Sequence, residues 1–125
     1  MSAEGSSYIR SQSPGAERLA GLSLTLFRNS EPGFELRIRY TSWSGASLIE
    51  GAENERERGE IEWYANLAVE GIKAFAAERN IDLSAYTIEM HRFLYHPLDT
   101  KAAHFKRAGR NAFAAAWAAL HDQDL

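Results

Sequence analysis

The chain has 125 residues, enough for one domain with a core of its own. Its composition, 45% hydrophobic and 25% charged with no cysteine, is that of a globular protein and excludes disulfides, cysteine–zinc sites and thiol catalysis. The net charge of −3 is unevenly spread: residues 53–90 carry nine acids against Arg56, Arg58, Lys73 and Arg79, whereas residues 91–121 set Arg92, Lys101, Lys106, Arg107 and Arg110 against Asp99 alone and hold all four histidines.

No run of about 18 apolar residues is present to span a membrane. The start, Met1-Ser-Ala-Glu-Gly-Ser-Ser, lacks the charged-then-apolar pattern of a secretory leader, so a cytoplasmic location is expected. Residues 1–18 are rich in Ser and Gly, contain the turn pair Pro14-Gly15 and show no apolar period, and they are read as a flexible tail. The folded unit is expected over residues 19–121, with 122–125 as a short C-terminal tail.

Leu22, Leu24 and Leu26 alternate with Ser23, Thr25 and Phe27, as in a half-buried strand. Asn29-Ser-Glu-Pro-Gly33 is dense in turn formers, and Phe34, Leu36, Ile38 and Tyr40 then alternate with Glu35, Arg37 and Arg39. The two runs are expected to form an antiparallel hairpin. Ser42-Trp-Ser-Gly45 turns the chain, and Ala46–Glu50 is read as a short third strand. Glu53–Gly59 is a mixed charge run, either a loop or a first helical turn.

From Glu60 the period changes. Ile61, Ala65, Ala68, Ile72 and Phe75 or Ala76 form one helical stripe, so a helix is expected over about 61–79. Asn80 is its left-handed stop and Ile81 the accompanying apolar contact. Period two returns over about 86–95, with Ile88, Met90 and Leu94 on one face and Thr87, Glu89, His91, Phe93 and Tyr95 on the other. A last helix is expected over about 100–120, where Phe105, Ala108, Ala112, Phe113, Ala116 and Leu120 follow helical spacing. The sum is an α+β fold, a three- to four-stranded sheet with two helices on one face. Leu24, Leu36, Ile38, Ile72, Ile88, Met90, Phe105 and Phe113 should be buried together.

The segment from Tyr95 to Phe113, Tyr-His-Pro-Leu-Asp-Thr-Lys-Ala-Ala-His-Phe-Lys-Arg-Ala-Gly-Arg-Asn-Ala-Phe, resembles the end of domain IV of translation elongation factor G. Gly21-Leu-Ser-Leu-Thr-Leu and Glu31-Pro-Gly-Phe-Glu-Leu resemble that domain's strand–turn–strand, and Trp63-Tyr-Ala-Asn-Leu-Ala-Val-Glu-Gly-Ile resembles the start of its first helix. The resemblance implies a ribosomal-protein-type fold with a left-handed β-α-β crossover. It also implies a module whose His-bearing loop, here at His96, lies near the end that reaches the decoding region of the ribosome. The chain departs from the family in several places. The basic tip loop before the first full strand is absent, and Pro97-Leu98 and Thr100 replace more polar residues and a Ser. Residues 41–59 are longer, and no Gly-x-x-x-x-Gly-Lys-Ser/Thr nucleotide loop occurs. A free-standing relative of one domain is expected, without GTPase activity, nucleotide or other cofactor.

Asp99 and Thr100 can cap the last helix through its first free amides. His96 either closes a turn shaped by Pro97 or meets RNA phosphate or ribose. No pair of histidines has metal-binding spacing, and no nucleophile sits on a catalytic turn, so neither a metal nor an enzyme is expected. On strict alternation, the sheet face away from the helices carries Arg37, Arg39, His91, Phe93 and Tyr95, cations for phosphate beside aromatics for base stacking. With His96, Arg107 and Arg110 these residues are the candidate contacts to RNA or a partner. The leading expectation is a non-enzymatic, translation-associated module contacting ribosome or single-stranded RNA. The alternative is a protein-association module, a homodimer through the same open face with no RNA role. Cross-strand pairs stabilising a plain surface would show the same composition. No membrane partner is expected.

Overall fold

The computed structural model of the chain describes residues 2–13, 16–39, 41–44, 47–50, 55–95 and 102–123. The elements in chain order are β1 (Ser2–Ser13), β2 (Ala16–Arg28), β3 (Glu35–Ile38), β4 (Thr41–Ser44), β5 (Ser47–Glu50), α1 (Glu55–Arg79), a 3-10 turn at Leu83–Ala85, β6 (Tyr86–Leu94) and α2 (Ala102–Asp122). The architecture is α+β. A mixed sheet runs β1-β2-β6, with β3 and then β4 end to end along the far edge of β6 and β5 beyond β4. The sheet does not close into a barrel, and both helices cover one of its faces.

The two helices form for the reasons their periodicity suggests. Ile61, Ala65, Ala68 and Ile72 of α1 are buried, as are Phe105, Ala112, Phe113 and Leu120 of α2. Asn80 ends α1 in the left-handed conformation at φ 57°, and the Ile81 amide donates to the Ala76 carbonyl at 2.9 Å. Leu24, Ile72, Ile88, Met90, Phe105 and Phe113 are fully buried together. Leu36 and Ile38, expected beside them, are only half-buried. They lie on β3, while α2 packs over β1 and β2 at the other side of the sheet.

The flexible tail expected over residues 1–18 is a correction. Residues 2–13 are a strand in unbroken antiparallel register with β2, from Ser2 opposite Phe27 to Ser13 opposite Ala16. The strand carries no hydrophobic alternation because its inward side is selected for small volume instead. Ala3 and Gly5 face α2, and a Cβ built on Gly5 would stand 2.0 Å from the Ala112 carbonyl oxygen. Gln123, just past α2, donates its side-chain amide to the Ser2 carbonyl at 2.9 Å.

The expected hairpin of β2 with β3 is also corrected: β6 lies between them, antiparallel to β2 and parallel to β3. The Asn29–Gly33 loop crosses over the start of β6, where the Asn29 and Gly33 amides donate to Ala85 and Ser84 carbonyls at 2.8 and 2.7 Å. Gly33 has φ 146°, a conformation that favours glycine. Alternating hydropathy identifies two strands but not whether a third separates them.

The helices meet at backbone distance. A Cβ on Gly71 would lie 1.9 Å from the Lys106 carbonyl oxygen, and one on Gly109 would lie 2.6 Å from the Ala68 Cβ. Gly71→Ala should therefore destabilise the fold by about 1–3 kcal/mol through overpacking, against the gain of about 1 kcal/mol that alanine brings to an open helix position. Denaturant unfolding gives the sign directly.

Candidate interaction surface

β6 is flanked on both sides, so its side-chain alternation decides what the open face presents. Ile88 and Met90 are fully buried under the helices, while Thr87, Glu89 and His91 turn the other way. Then the register with β2 slips: Ser23 stands opposite His91 but Leu22 opposite Phe93, leaving Arg92 over. Arg92 takes φ 60°. This is a β-bulge, and one extra residue reverses the alternation beyond it.

The bulge corrects the placement of two candidate contact residues. Phe93 and Tyr95 are 0% and 3% exposed and belong to the core rather than the open face. Phe93 stacks with Phe105 at 6.3 Å between centroids. The Tyr95 ring lies 4.7 Å from that of Tyr64, and its hydroxyl donates to Glu60 Oε2 at 3.1 Å. Burial first, and then the Glu60 carboxylate, push the Tyr64 hydroxyl above its ordinary pKa. Leu94 instead turns to the open side, next to the position a Cβ on Gly21 would occupy. Strict alternation through Ile88 and Met90 would have put the charged Arg92 on the core face. That conflict is the mark of the bulge in the sequence.

The open face is a plate of hydroxyls and paired charges. Ser2, Glu4, Ser6 and Tyr8 of β1 stand opposite Phe27, Thr25, Ser23 and Gly21 of β2. Ser6 Oγ and Ser23 Oγ are 2.9 Å apart, and the Tyr8 hydroxyl also hydrogen-bonds Ser23. Thr25 Oγ1 is 3.0 Å from His91 Nε2. Thr87 donates to the Asn29 side-chain carbonyl. Arg37 grips Glu35 through Nε at 3.1 Å and through Nη2, and Arg39 Nε lies 2.9 Å from Glu89 Oε1. Tyr8, 46% exposed, is the large aromatic offered to solvent here. Sequence reading missed Tyr8 and its serine neighbours because it placed them in a tail. At one end, an open groove of about 480 Å³ runs beside the Asn29–Gly33 loop, bounded by Phe27, Thr87, Glu35 and Arg37.

The remaining candidates lie elsewhere. Arg107 is exposed on α2. Arg110 ion-pairs with Glu78 of α1, and its guanidinium carbon stands 5.4 Å from the Phe75 ring centroid. Both belong to the helical layer, across the molecule from Arg37 and Arg39. His96, Asp99 and Thr100 lie outside the described residues. Among the described residues, no cluster of three or more His, Asp or Glu could hold a metal ion. No helix of the described residues is long and apolar enough to cross a membrane.

No family model matches the chain, and neither does any curated protein. Among solved structures, the crystal structure of ttk003000868 from Thermus thermophilus is similar over 94% of this chain, with a TM-score of 0.63 and 23% identity. The chain spans 16% of that protein's length. At this identity the likeness establishes a shared fold.

Two measurements test the open face. Burial holds the His91 imidazole below its ordinary 6.5, Arg39 and Arg92 lower it further, and Glu4 and Glu89 act in opposition. The unfolded chain then takes up the proton more readily. The contribution of neutral His91 is thus present above pH 6.5 and lost as the pH falls through the folded-state value. The denaturant midpoint should drop between about pH 7.5 and 5.5, less steeply in His91→Gln. At the bulge, Arg92→Gly should raise stability by up to about 1 kcal/mol and Arg92→Val should lower it, because only glycine takes φ 60° without a Cβ penalty.

Proposed function

We propose that this chain is a relative of domain IV of translation elongation factor G and acts as a non-enzymatic, cytoplasmic module that contacts ribosomal RNA. The observation that carries the reading is the Tyr95–Phe113 block at the junction of the central strand and the last helix. It sits in a fold shared with one part of a much longer protein. The contact works mainly through charge, since Phe93 and Tyr95 are interior and Tyr8 is the exposed aromatic left on this face. The Arg39 side chain is 71% exposed and that of Arg37 56%, both within reach of a phosphate. Each guanidinium would exchange a carboxylate partner for a phosphate, so the gain per contact is small and the affinity modest.

A second reading is favoured by those same ion pairs. A face whose cations are neutralised by Glu35 and Glu89 exerts little pull on a polyanion, and it suits a protein partner with a polar rim. Here the chain is an association module with no RNA role.

Cosedimentation with ribosomes at about 50 and 200 mM salt separates the readings. On the first, the wild type pellets with ribosomes at the lower salt, and Arg37→Gln with Arg39→Gln weakens binding and flattens its salt dependence. Protein that binds neither ribosomes nor single-stranded RNA at about 50 mM salt leaves the association reading.

A further inference from the structure

We infer that the free edge of β1 is the seat of a second copy of this chain, joined antiparallel so that the two sheets become one. The inference is independent of the RNA reading. β1 closes one end of the strand order, and among the described residues no strand pairs with its outer side. Natural sheets protect such an edge by making it short, by bulges, with proline, or with charged side chains, lysine above all. β1 lacks the first three, and its two charged residues, Glu4 and Arg10, are of opposite sign. It is 12 residues long, its register with β2 is unbroken, and Ser2–Ser13 contains neither proline nor lysine.

The strand's own sequence points to itself as partner. About a two-fold axis through Ser7, position 2 of one strand meets 12 of the other, and 4 meets 10. That register places the acid Glu4 opposite the base Arg10 twice over, once on each side of the axis. Positions 4 and 10 have the same parity along the strand. An isologous interface of this kind needs a surface complementary to itself.

The helical layer fits the same axis. α2 packs over β1 and β2, so it sits about half a strand spacing, roughly 2.4 Å, inside β1. Its copy lies equally far beyond the axis, which is another 2.4 Å or so outside β1, and the two helices come about 10 Å apart. That is the ordinary distance for packed helices. The flanks that meet can tolerate it. Lys106 and Arg110 turn toward α1, where they pair with Glu70 and Glu78. Ala115, nine residues on from Lys106, points about 180° away around the helix. On that flank Asn111, Ala115 and Ala118 are exposed and uncharged, and the exposed Asp122 lies at its C-terminal end.

Sedimentation velocity of the full chain across a concentration series tests the proposal. A reversible dimer is expected, with the β1 amides gaining hydrogen-exchange protection as concentration rises. Glu4→Arg should weaken it about tenfold by opposing like charges at two sites, and Glu4→Arg with Arg10→Glu should restore it. Circular dichroism of the single variant guards against a folding defect. A chain that stays monomeric at all concentrations overturns the proposal. So does a dimer indifferent to the charge changes at positions 4 and 10, or one lost on substituting Phe27 or Trp63 instead.

Discussion

Everything in the helical layer depends on how closely α2 can lie against its neighbours. Three glycines set that distance. Gly71 admits the Lys106 carbonyl, Gly109 admits Ala68, and Gly5 admits Ala112. Glycine inside a helix costs about 1 kcal/mol in propensity, so Gly71 and Gly109 weaken their helices locally. The close crossing offsets this by seating Phe105, Phe113 and Leu120 at full burial. Dispersion falls steeply with separation, and a gap of even half an ångström across this seam would forfeit much of it. The aromatic group of Tyr64, Tyr95, Phe93 and Phe105 packs where it does because α2 is held this near the sheet.

The second determinant is smaller, a single residue. Arg92 divides β6 into two stretches with opposite phase. Before it, polar residues face out and apolar ones in. After it, Phe93 and Tyr95 turn inward, and Tyr95 keeps its hydroxyl satisfied on Glu60. The open face thereby loses Phe93 and Tyr95 and keeps Tyr8, a row of hydroxyls, the His91 imidazole, and Arg37 and Arg39 in carboxylate pairs. Its chemistry follows from a backbone irregularity rather than from its composition.

Much of this was legible in the sequence. The helices stood out by their 3.6-residue stripe, Asn80 by its position after it, and the central strand by its alternation. What escaped did so for identifiable reasons. β1 is encoded by volume rather than hydropathy, because Ala3 and Gly5 must clear a helix. The insertion of β6 between β2 and β3 is set by a loop that bonds to Ser84 and Ala85, distant in sequence. The bulge was visible as a charge on an apolar stripe, but its effect on Phe93 follows only once the register is known. Of the candidate contacts, Arg37, Arg39 and His91 share the open face, while Arg107 and Arg110 belong to the opposite layer.

The insertion of β6 also bears on how the chain acquires its structure. The strand that holds β2 and β3 in place is the last in sequence, so no amount of early chain can complete the sheet. During synthesis, β1 and β2 can zip together locally, but β2 keeps an exposed leucine-bearing edge until residue 94 has emerged. Closure over such separations is entropically slow, placing folding nearer the millisecond-to-second range of non-local topologies than the microseconds of helical bundles. The unfinished hairpin is then the species most open to pairing with the wrong strand.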